Sequence, residues 1–210
     1  MIVVSDFDGT LTIDDVTAII WDQHLSYDWR ATLLPPTYAG TWTPLQMIAR
    51  GWGDMPVPPA TLIAEILPRI RFRAGLDRLV AHCRAKGWPF LVISHGLAFY
   101  IQGLLPPDVD FVSFHGAFTD GRWQVSLPPG MTLPPGEDFK RHVVAELRAR
   151  HPGQPTVYLG DGRLDQAAAL VCDRVFAARD STLARLIPGA TPFDTLDEDR
   201  KSTRLNSSHT

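Results

Sequence analysis

The run Ile2-Val3-Val4-Ser5 is short, apolar and β-branched, and it stops at Asp6 with Gly9 three residues further on. A strand buried on both faces of a parallel sheet reads this way, as a continuous apolar run followed by a polar loop. The same pattern recurs at Phe90-Leu91-Val92-Ile93, Val109–Phe114, Thr156-Val157-Tyr158-Leu159 and Arg174-Val175-Phe176-Ala177. Between these runs lie residues at helical spacing: Leu76, Leu79, Val80 and Cys83; Val143, Val144 and Leu147; Ala167, Ala168 and Val171. Strands alternating with helices predict a doubly wound α/β domain with a mostly parallel sheet.

Two segments interrupt the alternation. Residues 14–72 hold no strand-like run, but carry Val16, Ile19 and Ile20, then Leu62, Ile63, Ile66 and Leu67, at helical spacing. The stretch is too long for a simple crossover and is expected to form a small helical cap. In Ala117–Asp138, Gly121-Arg122 reads as a hairpin turn, and the prolines of Pro128-Pro129-Gly130 and Pro134-Pro135-Gly136 keep a loop ordered without regular pairing. The expected division is a core of residues 1–13 and 73–198 with a cap of 14–72.

The run from Asp199 to His209 matches a translated sequencing adapter residue by residue, so 199–210 is taken as read-through and the natural C-terminus as lost. Without that tail the formal charge moves from −3 to −5, giving no electrostatic reason to expect nucleic acid. No apolar run approaches the ~18 residues of a membrane span, and no basic n-region precedes the first strand. Cys83 and Cys172 lie far apart without metal spacing, which excludes a disulfide scaffold and fits a reducing cytoplasm.

Ligands of open parallel sheets bind beyond the carboxyl ends of the strands. The first strand is followed by Asp6-Phe7-Asp8-Gly9-Thr10, the second by Ser94-His95-Gly96, and the fourth by Gly160-Asp161-Gly162-Arg163-Leu164-Asp165, with Lys140 opening the helix before it. In this order the four segments resemble the signature of the haloacid dehalogenase superfamily of phosphatases, over nearly all of Met1–Leu196. The resemblance implies a Rossmann-like core with a C1-type helical cap. The cap position and Phe72-Arg73-Ala74-Gly75 are similar to the phosphoserine-phosphatase-like branch, subclass IB. Pro89–Gly96 and Val175–Asp180 with Leu183 are most similar to the methionine-salvage group acting on 2-hydroxy-3-keto-5-methylthiopentenyl-1-phosphate.

A carboxylate can attack phosphorus and divide hydrolysis into two easier displacements, and Asp6, first beyond the strand, is the candidate nucleophile. Its repulsion with an anionic phosphate calls for Mg²⁺ on oxygen ligands, with Asp161 supplying a second carboxylate. The resemblance implies the backbone carbonyl of Asp8 as a further ligand and Asp165 as a support acting through water or a hydrogen bond. The Asp8 side chain can protonate the leaving alkoxide and then activate water. Relatives that keep a stable phosphoenzyme, the P-type pumps, carry Thr there, so Asp8 favours a hydrolase or a mutase. Ser94 and the N–H groups near Gly96 can hold phosphate oxygens while Lys140 neutralises charge.

Each residue also has a plainer role. The Asp6–Asp8 pair could be turn chemistry, Ser94 a helix cap and Asp165 a complement to a helix dipole. His95 replaces a usually small residue and is either packed or in contact with the leaving group. Asp15 lies where the branch places an acid reaching toward substrate, while Met47–Trp52 around Arg50 does not match the phosphoserine-binding pattern. Trp21, Trp29, Trp42 and Trp52 read as core, His24, His82, His115, His142 and His151 as structural, and both cysteines as buried and inert. The expected function is hydrolysis of a small phosphorylated metabolite. Phosphoserine phosphatase, phosphomutase and a catalytically idle binding protein are the alternatives; oligomeric state stays open.

Overall fold

The computed structural model describes Met1–Asp197, so the expectation for residues 199–210 lies outside the described residues. The strands are β1 (Ile2–Ser5), β2 (Phe90–Leu97), β3 (Asp110–Thr119), β4 (Arg122–Ser126), β5 (Thr156–Gly160), β6 (Arg174–Ala178) and β7 (Thr191–Phe193). They form one sheet in the order β4-β3-β2-β1-β5-β6-β7. β1 pairs in parallel with β2, with Ser5 opposite Val92, and with β5, with Ser5 opposite Leu159. All four β1 residues are buried, which is why its sequence lacks the alternation of a half-exposed strand. The helices are α1 (Val16–His24), α2 (Trp29–Tyr38), α3 (Pro44–Gly53), α4 (Pro59–Ile66), α5 (Leu76–Ala85), α6 (Ala98–Leu104), α7 (Phe139–Arg150), α8 (Gln166–Ala169) and α9 (Thr182–Leu186).

The chain divides into two compact units. The first comprises Met1–Ile13, Arg71–Ile93 and the chain from Leu133 on. Its parallel pairing continues from β5 to β6 and from β6 to β7. α7 starts where the Asp138 side chain accepts from the Arg141 N–H at 2.8 Å, and it buries Phe139, Val143, Val144 and Leu147. Lys140 is buried in the first turn of α7, a poor place for a cation on dipole grounds alone.

The second unit comprises Asp14–Ile70 and Ser94–Thr132. Four helices and a 3₁₀ turn at Leu67–Arg69 occupy residues 16–69. α3 opens on a reciprocal capping box between Thr43 and Gln46, with Pro44 in its first turn. Trp52 packs against Phe99 at 5.6 Å, Tyr100 at 6.4 Å and Trp123 at 5.0 Å between ring centroids. The Trp123 indole also donates to the Val57 carbonyl at 2.9 Å. β3 and β4 form a hairpin with Thr119 opposite Arg122. Its two turn residues are Asp120 and Gly121, both at positive φ as a primed turn requires, one residue earlier than the pair read from the sequence.

Candidate active site

In the first unit, β1 delivers Asp6 at its carboxyl end, where the Asp6 N–H continues the ladder to the Leu159 carbonyl at 2.9 Å. The chain then turns tightly: the N–H groups of Thr10, Leu11 and Thr12 all point at the Phe7 carbonyl, at 3.3, 3.0 and 3.1 Å. Gly9 makes that turn possible, because it sits at φ +78° and a Cβ there would lie 2.6 Å from Asp161 Oδ2. Arg73 fixes the loop from outside, donating to the carbonyls of Gly9 and Thr10, each at 2.9 Å, and to that of Asp194 at 3.1 Å.

The side chains converge on a buried charge cluster. Lys140 Nζ donates to Asp6 Oδ1 at 2.5 Å and to Asp165 Oδ1 at 2.7 Å. The Thr10 hydroxyl lies 3.2 Å from Asp6 Oδ2 and 3.1 Å from Asp161 Oδ1, and its single proton can serve only one of them at a time. Asp165 accepts four donors: Lys140 and the Tyr158 hydroxyl (2.8 Å) on Oδ1, and the N–H groups of Asp161 (3.0 Å) and Gly162 (2.8 Å) on Oδ2. Burial, then the neighbouring Asp165 charge, pushes Asp6 up to about 6, although Lys140 works in the opposite direction. Burial disfavours the Lys140 ammonium, but Asp165 and Asp6 outweigh it and hold Lys140 above its ordinary range.

Carboxylate oxygens of Asp6, Asp161 and Asp165 lie within 4.8 Å of one another, a spacing compatible with a divalent cation. Three carboxylates against one ammonium, with Asp6 and Asp161 sharing one hydroxyl proton, leave negative charge that such a cation would offset. Asp165, already holding four donors, has no lone pair to spare, so Asp6 and Asp161 are the side chains fitted to hold it directly.

Of the residues expected from the sequence, Asp6, Lys140, Asp161 and Asp165 thus come together, with Asp8 half-buried two residues beyond Asp6. Ser94, His95, Gly96 and Asp15 belong to the second unit. Ser94 is buried inside β2 rather than capping α6, and its Oγ accepts from the Gly96 N–H at 2.9 Å. His95 is buried, with its ring 5.4 Å from that of Phe114. Asp15 is exposed and caps α1, accepting from the Ala18 N–H at 2.8 Å. Arg50 pairs with Asp54 at 3.0 Å. Trp21, Trp29 and Trp52 are buried as core, while Trp42 is half-buried.

Cys83 is buried, but Cys172 is partly exposed, which corrects the reading of both as buried. Burial nonetheless pushes the Cys172 thiol up to about 12, so it is a poor nucleophile. An apolar cleft of about 30 Å³ is lined by Val3, Leu79, Cys83, Val157, Leu159 and Phe176 among others, and none of these acids lines it.

Thr10, Arg73 and Tyr158 stand within runs read from the sequence but were given no role of their own there. Tyr158 carried a signal: a phenol within an otherwise aliphatic buried strand needs a hydrogen-bond partner.

Residues 3–170 match the haloacid dehalogenase-like hydrolase family, and the chain belongs to that class of hydrolases. It is 29% identical over 216 residues to a 2-hydroxy-3-keto-5-methylthiopentenyl-1-phosphate phosphatase of Geobacillus kaustophilus, covering 94% of each chain. It is 28% identical over 194 residues to the bifunctional enzyme MtnB/MtnX of Bacillus licheniformis, covering 87% of this chain but only 43% of that longer protein. A substrate-bound phosphoserine phosphatase has the same fold, with a TM-score of 0.74 over 96% of this chain and 97% of that one, at 16% identity.

No helix among the described residues is long and apolar enough to cross a membrane.

Proposed function

We propose that the protein is a Mg²⁺-dependent phosphomonoester hydrolase of a small metabolite, working through an aspartyl phosphate on Asp6. One observation carries the reading: a buried carboxylate at the end of the central strand, held by Lys140 and joined to Asp161 through Thr10. Asp6 attacks phosphorus, the bond to the leaving oxygen breaks, and the Asp8 carboxylic acid gives that oxygen its proton. Asp8, now a carboxylate, takes a proton from water as the water attacks the aspartyl phosphate, which frees inorganic phosphate and restores Asp6. Lys140 holds Asp6 in place and balances charge accumulating on the phosphoryl oxygens. Mg²⁺, held by Asp6, Asp161 and the Asp8 carbonyl, would screen the repulsion between Asp6 and the incoming phosphate. Ser94 and the N–H groups near Gly96 are assigned to phosphate oxygens on the family resemblance. Asp15 and His95 are assigned to the leaving group on the same basis.

Similarity in sequence along most of the chain favours 2-hydroxy-3-keto-5-methylthiopentenyl-1-phosphate as substrate, and the two free cysteines favour a reducing cytoplasm as location. Phosphoserine is the second reading, favoured by the shared fold with phosphoserine phosphatases. Phosphate release over a panel of small phosphorylated metabolites, including phosphoserine and a stable methylthio analogue, decides between them. The methylthio compound is expected to show the higher kcat/KM, and preference for phosphoserine would reverse the assignment. Free phosphate in stoichiometric yield excludes a mutase. Chelation is expected to abolish turnover and added Mg²⁺ to restore it; turnover unaffected by chelation would contradict the metal requirement.

A further inference from the structure

Resting on the hydrolase reading, we infer that Tyr158 is a positioning residue that acts through Asp165 to set where the Lys140 charge lies. Tyr158 sits in β5 with its side chain fully buried, between Val157 and Leu159. Its O–H donates to Asp165 Oδ1 at 2.8 Å, and that same oxygen accepts from Lys140 Nζ at 2.7 Å. Phenol and ammonium therefore share one oxygen, and each weakens the other's hold on it. The other oxygen is pinned by the N–H groups of Asp161 and Gly162, at 3.0 and 2.8 Å, so the carboxylate cannot turn to offer a fresh face.

The consequence falls on Lys140, which divides its donors between Asp165 and Asp6, the latter at 2.5 Å. A phenol on the shared oxygen weakens the hold of Asp165 on the ammonium and leaves its charge directed toward Asp6. Burial and the nearby carboxylates keep the phenol well above its ordinary pKa, so it remains a donor at every working pH. Removing the hydroxyl frees one lone pair of Asp165, and Lys140 is drawn away from the atom that attacks phosphorus. The loss is expected in the transition state rather than in ground-state binding, because charge on the phosphoryl oxygens builds there.

The test compares the unaltered protein with Tyr158→Phe, Asp165→Asn and the double variant on p-nitrophenyl phosphate. It reads kcat, KM, inhibition by orthovanadate and Tm. Tyr158→Phe is expected to lower kcat roughly tenfold or more, with KM within about twofold, and to weaken vanadate inhibition in parallel with kcat. Tm should stay within a few degrees, and the double variant should be no slower than Asp165→Asn. Unchanged kcat in Tyr158→Phe, or a loss that simply multiplies that of Asp165→Asn, overturns the inference. So does a fall in Tm with kcat per folded molecule retained. Absence of turnover in the unaltered protein overturns the hydrolase reading, and this inference with it, whereas the other outcomes leave the hydrolase reading intact.

Discussion

The chemistry rests on how this chain treats one carboxylate. Asp6 is buried beside Asp165, and its affinity for a proton rises to about 6 from an ordinary value of 3.8. The folded protein then binds that proton more tightly than the unfolded chain does. The contribution of Asp6 to stability is therefore full below the unfolded value and is lost as pH rises through the folded one. A divalent cation competes with the proton for the same oxygens, so its stabilising effect should have the opposite pH dependence. Thermal melts with and without Mg²⁺ are expected to show a larger rise in Tm at pH 7.5 than at pH 5. Saturation to a hundred times Kd is worth about 2.7 kcal/mol. An equal shift at both pH values would show that the cation does not engage Asp6. At this scale the meeting of Asp6, Lys140, Asp161 and Asp165 was legible, because each stands at or just beyond a strand end or at a helix start. Thr10 and Tyr158 were less so, since their importance depends on which oxygens they reach across the fold.

Among elements, the loop from Asp6 to Thr12 is held from two sides. Its interior turns on the Phe7 carbonyl, and Arg73 grips it from the segment that re-enters the first unit. Gly9 is the least replaceable member, combining a left-handed φ with close approach to Asp161. Gly9→Ala is expected to cost about 1–2 kcal/mol from backbone strain alone. It should also lower kcat, because the new methyl group displaces the Asp161 carboxylate; a Tm and a kcat both equal to those of the unaltered protein would contradict this account. The strands were readable in the sequence because parallel strands buried on both faces are plain apolar runs. The hairpin turn was placed one residue late, since Asp120 and Gly121 share the positive φ and a sequence shows only the glycine plainly. The Ser94 segment proved extended because β2 runs through to Leu97, a length the pattern Phe90–Ile93 does not announce.

On the scale of the whole molecule, the chain divides into two compact units. The helical spacing at Val16–Ile20 and at Leu62–Leu67 was evident, but the packing of Phe99, Tyr100 and Trp123 onto Trp52 joins residues far apart in the chain, which no local period reveals. Trp52 is fully buried at the centre of that aromatic group, so Trp52→Ala is expected to destabilise the second unit by about 3–5 kcal/mol, read from denaturant melts. A loss below about 1 kcal/mol would mean the cluster is not the core of that unit. The account as a whole stands on the first unit's acid cluster performing phosphoryl transfer at Asp6. Its most direct test is the rate of inorganic phosphate release from a monoester by the unaltered protein and by Asp6→Asn, at saturating Mg²⁺. Asp6→Asn should be slower by roughly 10³-fold or more, with its fold retained by circular dichroism. Turnover in Asp6→Asn within a few-fold of the unaltered protein would contradict the assignment of the nucleophile and the mechanism built on it.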